Sequence, residues 1–405
     1  MIKIFSNDEG DTISGVAYKN NYVRKKIVSY FAENGNATIA DLCKETNLST
    51  PKVTALIVEL ISSGIVEDFG KVESTGGRKP NIYGLAPDSG FFVGIDVKHN
   101  HINIGVIDLQ KRPVNMSKNI PFNLNNNQQS FEEFCELINE FVNSLDIARE
   151  KIFGVGMNLP GRINHQTGQS YNIFNFHKEP LTLVLNEKLG FKTYLENDSR
   201  AMAYGELNYG SVTEEKNVLF INVDHGLGMG VIINNELYYG KSGFAGELGH
   251  IPLFNNEIIC QCGKKGCLET EASGRALVRL FKKKLREGSS SVLETKDIED
   301  IQMEQIIDAA MNDDVLSIDL ISSIGEILGR EIASIINIFN PELVILGGRL
   351  STTGDYISLP IKSAINKYSL SLATNDTRLK ISKLGEDAGL MGACLLARKH
   401  LLEST

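Results

Sequence analysis

No apolar run approaches the roughly 18–20 residues that a membrane helix needs, so this chain of 405 residues is expected to insert into no membrane. Its start, MIKIFSNDEGDT, has no basic-then-apolar stretch and does not read as a secretory signal. Six cysteines are too few for a disulfide scaffold at this length. No tandem repeat is present. Basic charge is also short: 41 Lys plus Arg against 50 Asp plus Glu leave a net charge of −9. That argues against a surface that binds nucleic acid everywhere, though not against one local DNA-binding module. With 42% apolar and 22% charged residues, wholesale disorder is excluded. What remains is a cytosolic, cytoplasmic protein of about two to four domains.

The first 85 or so residues differ from the rest. Val23, Ile27, Val28 and Phe31 fall close to helical spacing over 22–33. Ile39, Leu42 and Cys43 predict a second short helix with Thr38 as N-cap. A third starts near Ser49-Thr50-Pro51, a cap residue followed by proline in the first turn. Its apolar positions Val53, Leu56, Ile57, Leu60 and Ile61 step i, i+3, i+4, i+7, i+8, and Gly64 stops it. Ile65 to Phe69 and Asn81 to Leu85 read as two strands around a loop. Three helices and a hairpin make a winged helix-turn-helix. Thr50, Lys52 and Thr54 lie off the apolar stripe near the end of the third helix that would face bases. Arg78 and Lys79 sit on the wing, and Arg78 suits a narrow minor groove. Lys19, Arg24, Lys25 and Lys26 form an acid-free stretch suited to phosphates. The plainer alternative is a helical protein-interaction module with a solvated basic face.

From Phe91 the pattern becomes α/β. Strands are expected at 91–97, 102–108, 152–158, 193–195, 218–223, 230–233 and 343–346. Helices are expected near 130–145, from 199, at 274–286, 304–310 and 317–337, and at about 389–402. Glycine turns at strand ends suggest a ligand crevice between two α/β lobes.

His250, Cys260, Cys262 and Cys267 have the spacing His-x9-Cys-x-Cys-x4-Cys. Three thiolates and one imidazole fill a tetrahedral zinc shell with no open position, which implies one structural zinc per chain. The alternative is three reduced thiols and an unrelated histidine. Glu247 and Glu269 flank this set, so a folded zinc loop would pin both. Asp198 sits at a strand-to-helix junction beside Asn197. Convergent Asn, Asp, Glu and His side chains suit a polyhydroxylated ligand, and an Asp near such a hydroxyl can act as a general base. Gly226, Gly228 and Gly230 after a strand are, alone, weak evidence for a phosphate cradle.

Taken together these residues resemble the ROK family of repressors and kinases, specifically its transcriptional repressors of sugar metabolism. The resemblance covers nearly the whole chain. It rests on Leu48 to Thr54 and Ser74 to Pro80 in the winged helix, and on Met157-Asn158-Leu159-Pro160-Gly161-Arg162. It rests further on Glu196-Asn197-Asp198, Gly246 to His250, Cys260 to Glu269 and Asn340 to Gly348. It implies an α/β fold: an N-terminal winged helix-turn-helix followed by a two-lobed, actin-like, sugar-kinase-type body. The expected domains are 1–88, then 89–198 plus 387–405, and 199–386. In that family Asn197, Asp198, Glu247, His250 and Glu269 would contact the sugar, with Gly161 in the Pro-Gly segment beside them. His250 would give one ring nitrogen to zinc and the other to a sugar hydroxyl.

The departures bear on catalysis. Kinases of the family carry Asp-x-Gly-Gly-Thr on the first hairpin, and here the stretch reads Asp96-Val97-Lys98-His99-Asn100. Their second phosphate loop begins Gly-Thr-Gly, and here it begins Asp224-His225-Gly226. Side chains replace the glycines that let backbone approach a phosphate, and a carboxylate would repel a triphosphate. Asp198 is thus a vestigial base in a chain expected to have no catalytic residue. The expected function is a sugar- or sugar-phosphate-responsive repressor, a homodimer or dimer of dimers on an inverted-repeat operator. The alternatives are an active sugar kinase with a regulatory N-terminal domain, and a body that senses a partner protein.

Overall fold

The computed structural model describes residues 15–71, 80–293 and 297–403. Helix α1 (Gly15–Asn34) turns Ile27, Val28 and Phe31 inward and starts earlier than its apolar spacing predicts. After β1 (Ala37–Thr38), helix α2 (Ile39–Thr46) opens on a capping box. The Thr38 hydroxyl accepts from the Asp41 N–H while the Asp41 carboxylate accepts from the Thr38 N–H, so two orphan donors are satisfied reciprocally. Asn47 ends α2 at φ 54°. Helix α3 (Thr50–Ser62) carries Pro51 in its first turn and buries Val53, Leu56, Ile57 and Leu60. Ile61, expected on the same stripe, is exposed. Strands β2 (Val66–Lys71) and β3 (Asn81–Leu85) pair antiparallel, and β1 joins them in the order β1-β3-β2. This is a winged helix-turn-helix. Arg78 and Lys79 lie outside the described residues.

The chain divides into two compact units, Met1–Glu196 with Ala393–Thr405, and Asn197–Gly392. In the first, β4 (Phe91–Val97), β5 (His101–Asp108) and β6 (Pro113–Pro121) form an antiparallel meander. Next come α4 (Gln128–Ser144), β7 (Ile152–Leu159), the small pair β8 (Ile163–Asn164) and β9 (Gln169–Ser170), α5 (Leu181–Leu189) and β10 (Thr193–Asn197). The main sheet has the order β10-β7-β4-β5-β6, with β4 and β7 parallel. One face packs on Phe131, Phe134 and Phe174, whose rings lie 5.3 and 5.6 Å apart for the pairs 131–174 and 134–174.

The second unit repeats the plan. It runs α6 (Asp198–Tyr209), β11 (Val218–Val223), β12 (Leu227–Ile233), β13 (Glu236–Leu237), α7 (Gly274–Arg286), α8 (Met303–Met311), α9 (Val315–Phe339), β14 (Leu343–Gly347), α10 (Asp355–Tyr368), α11 (Ser371–Asp376) and β15 (Arg378–Ile381). Its sheet order, β13-β12-β11-β14-β15, matches the first: a three-strand meander with two further strands added beside its first strand. Both are α/β lobes built on one plan. Helix α12 (Asp387–Glu403) closes the chain. Among the described residues no helix is long and apolar enough to cross a membrane.

Candidate ligand and metal site

The metal cluster forms because a short loop is pinned at both ends. Isolated bridges pair Pro252 with Cys267 and Ile259 with Lys265. The Cys260 N–H donates to the Lys264 carbonyl at 2.8 Å. Gly266 has φ 77°, and a Cβ there would stand 2.1 Å from the Phe254 carbonyl oxygen, so only glycine brings Cys267 back. The ligand atoms of His250, Cys260, Cys262 and Cys267 all lie within 4.8 Å of one another. A tetrahedral zinc with bonds of about 2.3 Å to sulfur and about 2.0–2.1 Å to nitrogen separates S from S by about 3.8 Å and S from N by about 3.5 Å. The observed separations are 3.6 Å for Cys262 Sγ to Cys267 Sγ and 3.5 Å for Cys260 Sγ to His250 Nδ1. The donor set therefore fits a metal of this kind. Burial pushes the Cys260 thiol up to about 12. Burial also acts to raise Cys262, but the Lys264 N–H and the adjacent sulfurs hold it below the ordinary thiol value. Thiols packed this closely ionise together at neutral pH only around a cation. In the same loop Lys264 faces Cys262, while Lys265 pairs with Glu257.

His250 turns Nδ1 to this cluster, and its Nε2 lies 3.7 Å from Glu247 Oε2. Glu269 is nearly buried. One oxygen accepts the Leu227 N–H at 3.1 Å and the other meets Arg275 at 2.7 Å and Cys260 Sγ at 3.8 Å. Asn197 caps α6 by accepting the Arg200 N–H at 3.2 Å. Asp198 Oδ1 accepts from Asn197 Nδ2 (2.8 Å), the Ser199 N–H (2.7 Å) and the Ser199 hydroxyl (3.2 Å). Asn222, at the end of β11, donates to Ser199 Oγ at 3.1 Å.

The hairpin β11–β12 joins the two groups. A Cβ on Gly230 would lie 2.5 Å from the Ala203 Cβ and one on Gly228 would lie 2.1 Å from Ser199 Oγ. These glycines let α6 press onto β12, so packing accounts for them and a phosphate cradle is not needed. Arg200 ties α6 to the loop before Glu247 through the Gly243 carbonyl at 2.6 Å. Asn197, Asp198, Glu247, His250 and Glu269 thus share one framework within the second unit. Gly161 belongs to the first unit, at φ 93° in the turn after β7.

Both stretches that depart from the kinase pattern are filled by their own side chains. Lys98 Nζ lies 3.2 Å from the fully buried carboxylate of Asp96. Asp224 Oδ1 accepts the His225 N–H at 2.7 Å, consuming a donor that a phosphate would need. His225 Nε2 lies 3.8 Å from Glu304.

Thr50, Lys52 and Thr54 are exposed at the start of α3, as its stripe predicts. The basic stretch before it is different. Arg24 forms an ion pair with Glu59, Lys26 with Glu45 at 3.0 Å, and Lys25 is partly buried facing Lys192. Two of the four cations, Arg24 and Lys26, are thus paired with carboxylates within the chain. Sequence reasoning also missed Arg275 and Asn222. An asparagine at the end of the otherwise apolar β11 was the available signal, and Arg275 had none beyond its nearness to Glu269.

Residues 92–400 match the ROK family, and residues 20–67 match a winged helix-turn-helix DNA-binding family. The xylose repressor of Caldicellulosiruptor bescii is 29% identical over 365 residues, spanning 89% of this chain and 91% of that protein. A crystal structure of a ROK family transcriptional regulator, a homolog of the E. coli MLC protein, superposes with a TM-score of 0.76 at 25% identity over 94% of this chain and 96% of its own. A ROK family glucokinase from Streptomyces griseus, in complex with glucose and AMPPNP, superposes with a TM-score of 0.66 at 26% identity over 76% of this chain and 100% of its own.

Proposed function

The chain belongs to the ROK family, and from its winged helix and altered phosphate loops we propose that it is a sugar-responsive repressor of carbohydrate-metabolism genes that does not phosphorylate its ligand. The observation that carries this reading is the split within the site. The residues suited to sugar hydroxyls remain as a connected group, while Lys98 and Asp224 occupy the stretches where kinases hold phosphate. Likeness to a xylose repressor over most of both chains supports it.

A sugar or sugar phosphate binds through Asn197, Asp198, Glu247, His250 and Glu269. Zinc, when bound by His250, Cys260, Cys262 and Cys267, supplies a fixed frame and no reactive water. With Nδ1 committed to the cluster, Nε2 of His250 carries the proton and donates to a ligand hydroxyl. Glu247 and Glu269 accept from neighbouring hydroxyls. Asp198 orients a hydroxyl and takes no proton in a productive reaction. Thr50, Lys52 and Thr54 read an operator in the major groove, with Arg78 and Lys79 on the wing. A homodimer or dimer of dimers engages an inverted repeat in the cytoplasm.

The test is selection of bound genomic fragments by the purified protein, followed by sequencing and by ADP-release assays with Mg²⁺ and a sugar panel. Enrichment of one inverted repeat beside sugar-utilisation genes, with no turnover, is the expected result. The second reading, an active kinase, draws on the retained Asp198 and the glucokinase likeness. Turnover of about 10 per second would establish it instead.

A further inference from the structure

We propose that Arg398 is the positioning residue that seats the winged helix on the first α/β sheet and so fixes the geometry in which the chain meets DNA. The DNA-binding part of this inference rests on the repressor reading. Arg398 lies on α12 and is 3% exposed, rare for a guanidinium. All three of its nitrogens are committed. Nε donates to the Leu109 carbonyl just after β5 at 2.9 Å. Nη1 donates to Glu33 at 2.9 Å, and Nη2 to the Ala32 carbonyl at 2.7 Å. Ala32 and Glu33 form the last turn of α1, where carbonyls lack helical partners and the helix dipole favours a cation. One planar fork thus joins the sheet to the first helix of the DNA-binding domain, a geometry that an ammonium cannot reproduce.

The neighbouring contacts show why this residue matters more than the rest. Lys111 also reaches Glu33, at 3.2 Å, and Gln110 donates to the Leu85 carbonyl at the end of β3, at 2.9 Å. Ser29 reaches the Leu402 carbonyl at 3.4 Å. Burial acts to raise Glu33, yet the hydrogen bond and charge of Arg398, with Lys111, hold its carboxyl below the usual range. About two turns from this seat the charge turns adverse: Lys25 on α1 faces Lys192. Removing Arg398 takes the side-chain donor from the Leu109 and Ala32 carbonyls and leaves Glu33 with Lys111 alone, so the seat loosens. Helix α12 is also the continuous helix in which the chain passes from the second unit into the first.

The experiment compares the full-length protein with Arg398→Met, Arg398→Lys and Glu33→Gln. Arg398→Met keeps the apolar stem, Arg398→Lys keeps the charge, and Glu33→Gln alters a half-exposed partner without opening a cavity. Operator affinity is read by anisotropy on the selected repeat and on versions with spacers longer by about one or two base pairs. Sugar binding is read by calorimetry, and amide hydrogen exchange follows the last turn of α1 and β3. Arg398→Met is expected to lose roughly 10- to 100-fold in operator affinity and to discriminate poorly between spacers, with Arg398→Lys intermediate and Glu33→Gln mildest. Sugar binding stays unchanged and α1 exchanges faster. Wild-type spacer discrimination in Arg398→Lys and Glu33→Gln, or unchanged exchange in Arg398→Met, overturns the proposal. Loss of sugar binding together with DNA binding in every variant also overturns it, since Arg398 would then support the whole fold. Wild-type protein that binds no DNA sinks the repressor reading, while faster α1 exchange in Arg398→Met still supports the seat.

Discussion

Replacing Cys262 by alanine tests the metal cluster with little disturbance of packing. Cys260 and Cys267 are 5% and 0% exposed, so truncating either leaves a cavity, whereas Cys262 is half-buried at the loop surface. A structural zinc in a four-ligand site contributes about 10–16 kcal/mol of apparent binding free energy at neutral pH. An equal share per ligand is about 2.5–4 kcal/mol, so Cys262→Ala should weaken metal binding on the order of 10²- to 10³-fold. The effect should spread to sugar binding, because His250 belongs to the same cluster and lies 3.7 Å from Glu247, and Glu269 lies 3.8 Å from Cys260. The assay is metal analysis after dialysis against a graded chelator series, with calorimetry on the same samples. Cys135→Ala is the control, a buried thiol far along the chain from the cluster, and should keep its zinc. Wild-type protein without zinc, or Cys262→Ala that keeps one zinc per chain through the full series, would refute the reasoning.

Three further outcomes follow from side-chain environments. Glu215 is buried and burial acts to raise it, but N–H groups of its own loop and Lys380 bring it down to about 2. Its stabilisation is therefore present above the unfolded value of 4.5 and lost as pH falls toward 2, so Glu215→Gln should lower stability at neutral pH and flatten its fall below pH 4.5 in thermal melts. His400, stacked on Tyr194 at 5.0 Å, is held below its ordinary value by burial, with His165, Lys399 and Lys192 adding to the effect and Glu196 opposing it. Its contribution is present above 6.5 and lost as pH falls, so denaturant midpoints should drop on acidification, and less so in His400→Phe. Lys52→Ala, exposed on α3, should cost about 1–3 kcal/mol at specific base pairs and relax preference there, read by competition among operator variants.

The parts of this protein that were legible in its sequence are those governed by local spacing. The α3 stripe, the Thr38 cap and the His-x9-Cys-x-Cys-x4-Cys set each lie within one short segment, so periodicity and ligand chemistry determine them. What escaped is set by contacts between distant segments or by muted patterns. Strand β6 is a sheet edge with mostly exposed residues, so it shows no apolar signature. Helix α10 carries Pro360 in its interior, which reads as a break, yet it packs along α9 through Gly325 and Gly329. The ion pairs of Arg24 and Lys26 are not legible in the stretch from Lys19 to Lys26 because Glu59 and Glu45 lie 35 and 19 residues further along. Arg398 reads as one cation in a C-terminal helix, since its partners Ala32, Glu33 and Leu109 come from far earlier in the chain.

The central claim is that sugar binding changes DNA affinity without phosphoryl transfer. The most direct measurement is the anisotropy of a labelled operator fragment, taken from the genomic selection and titrated with full-length protein against the sugar panel, with and without ATP and Mg²⁺. The account predicts that one sugar or sugar phosphate shifts operator affinity by about tenfold or more, equivalent to about 1.4 kcal/mol of coupling. It also predicts that ATP leaves that shift unchanged and that no ADP appears. Operator affinity indifferent to every sugar, or a response that requires ATP hydrolysis, would contradict it.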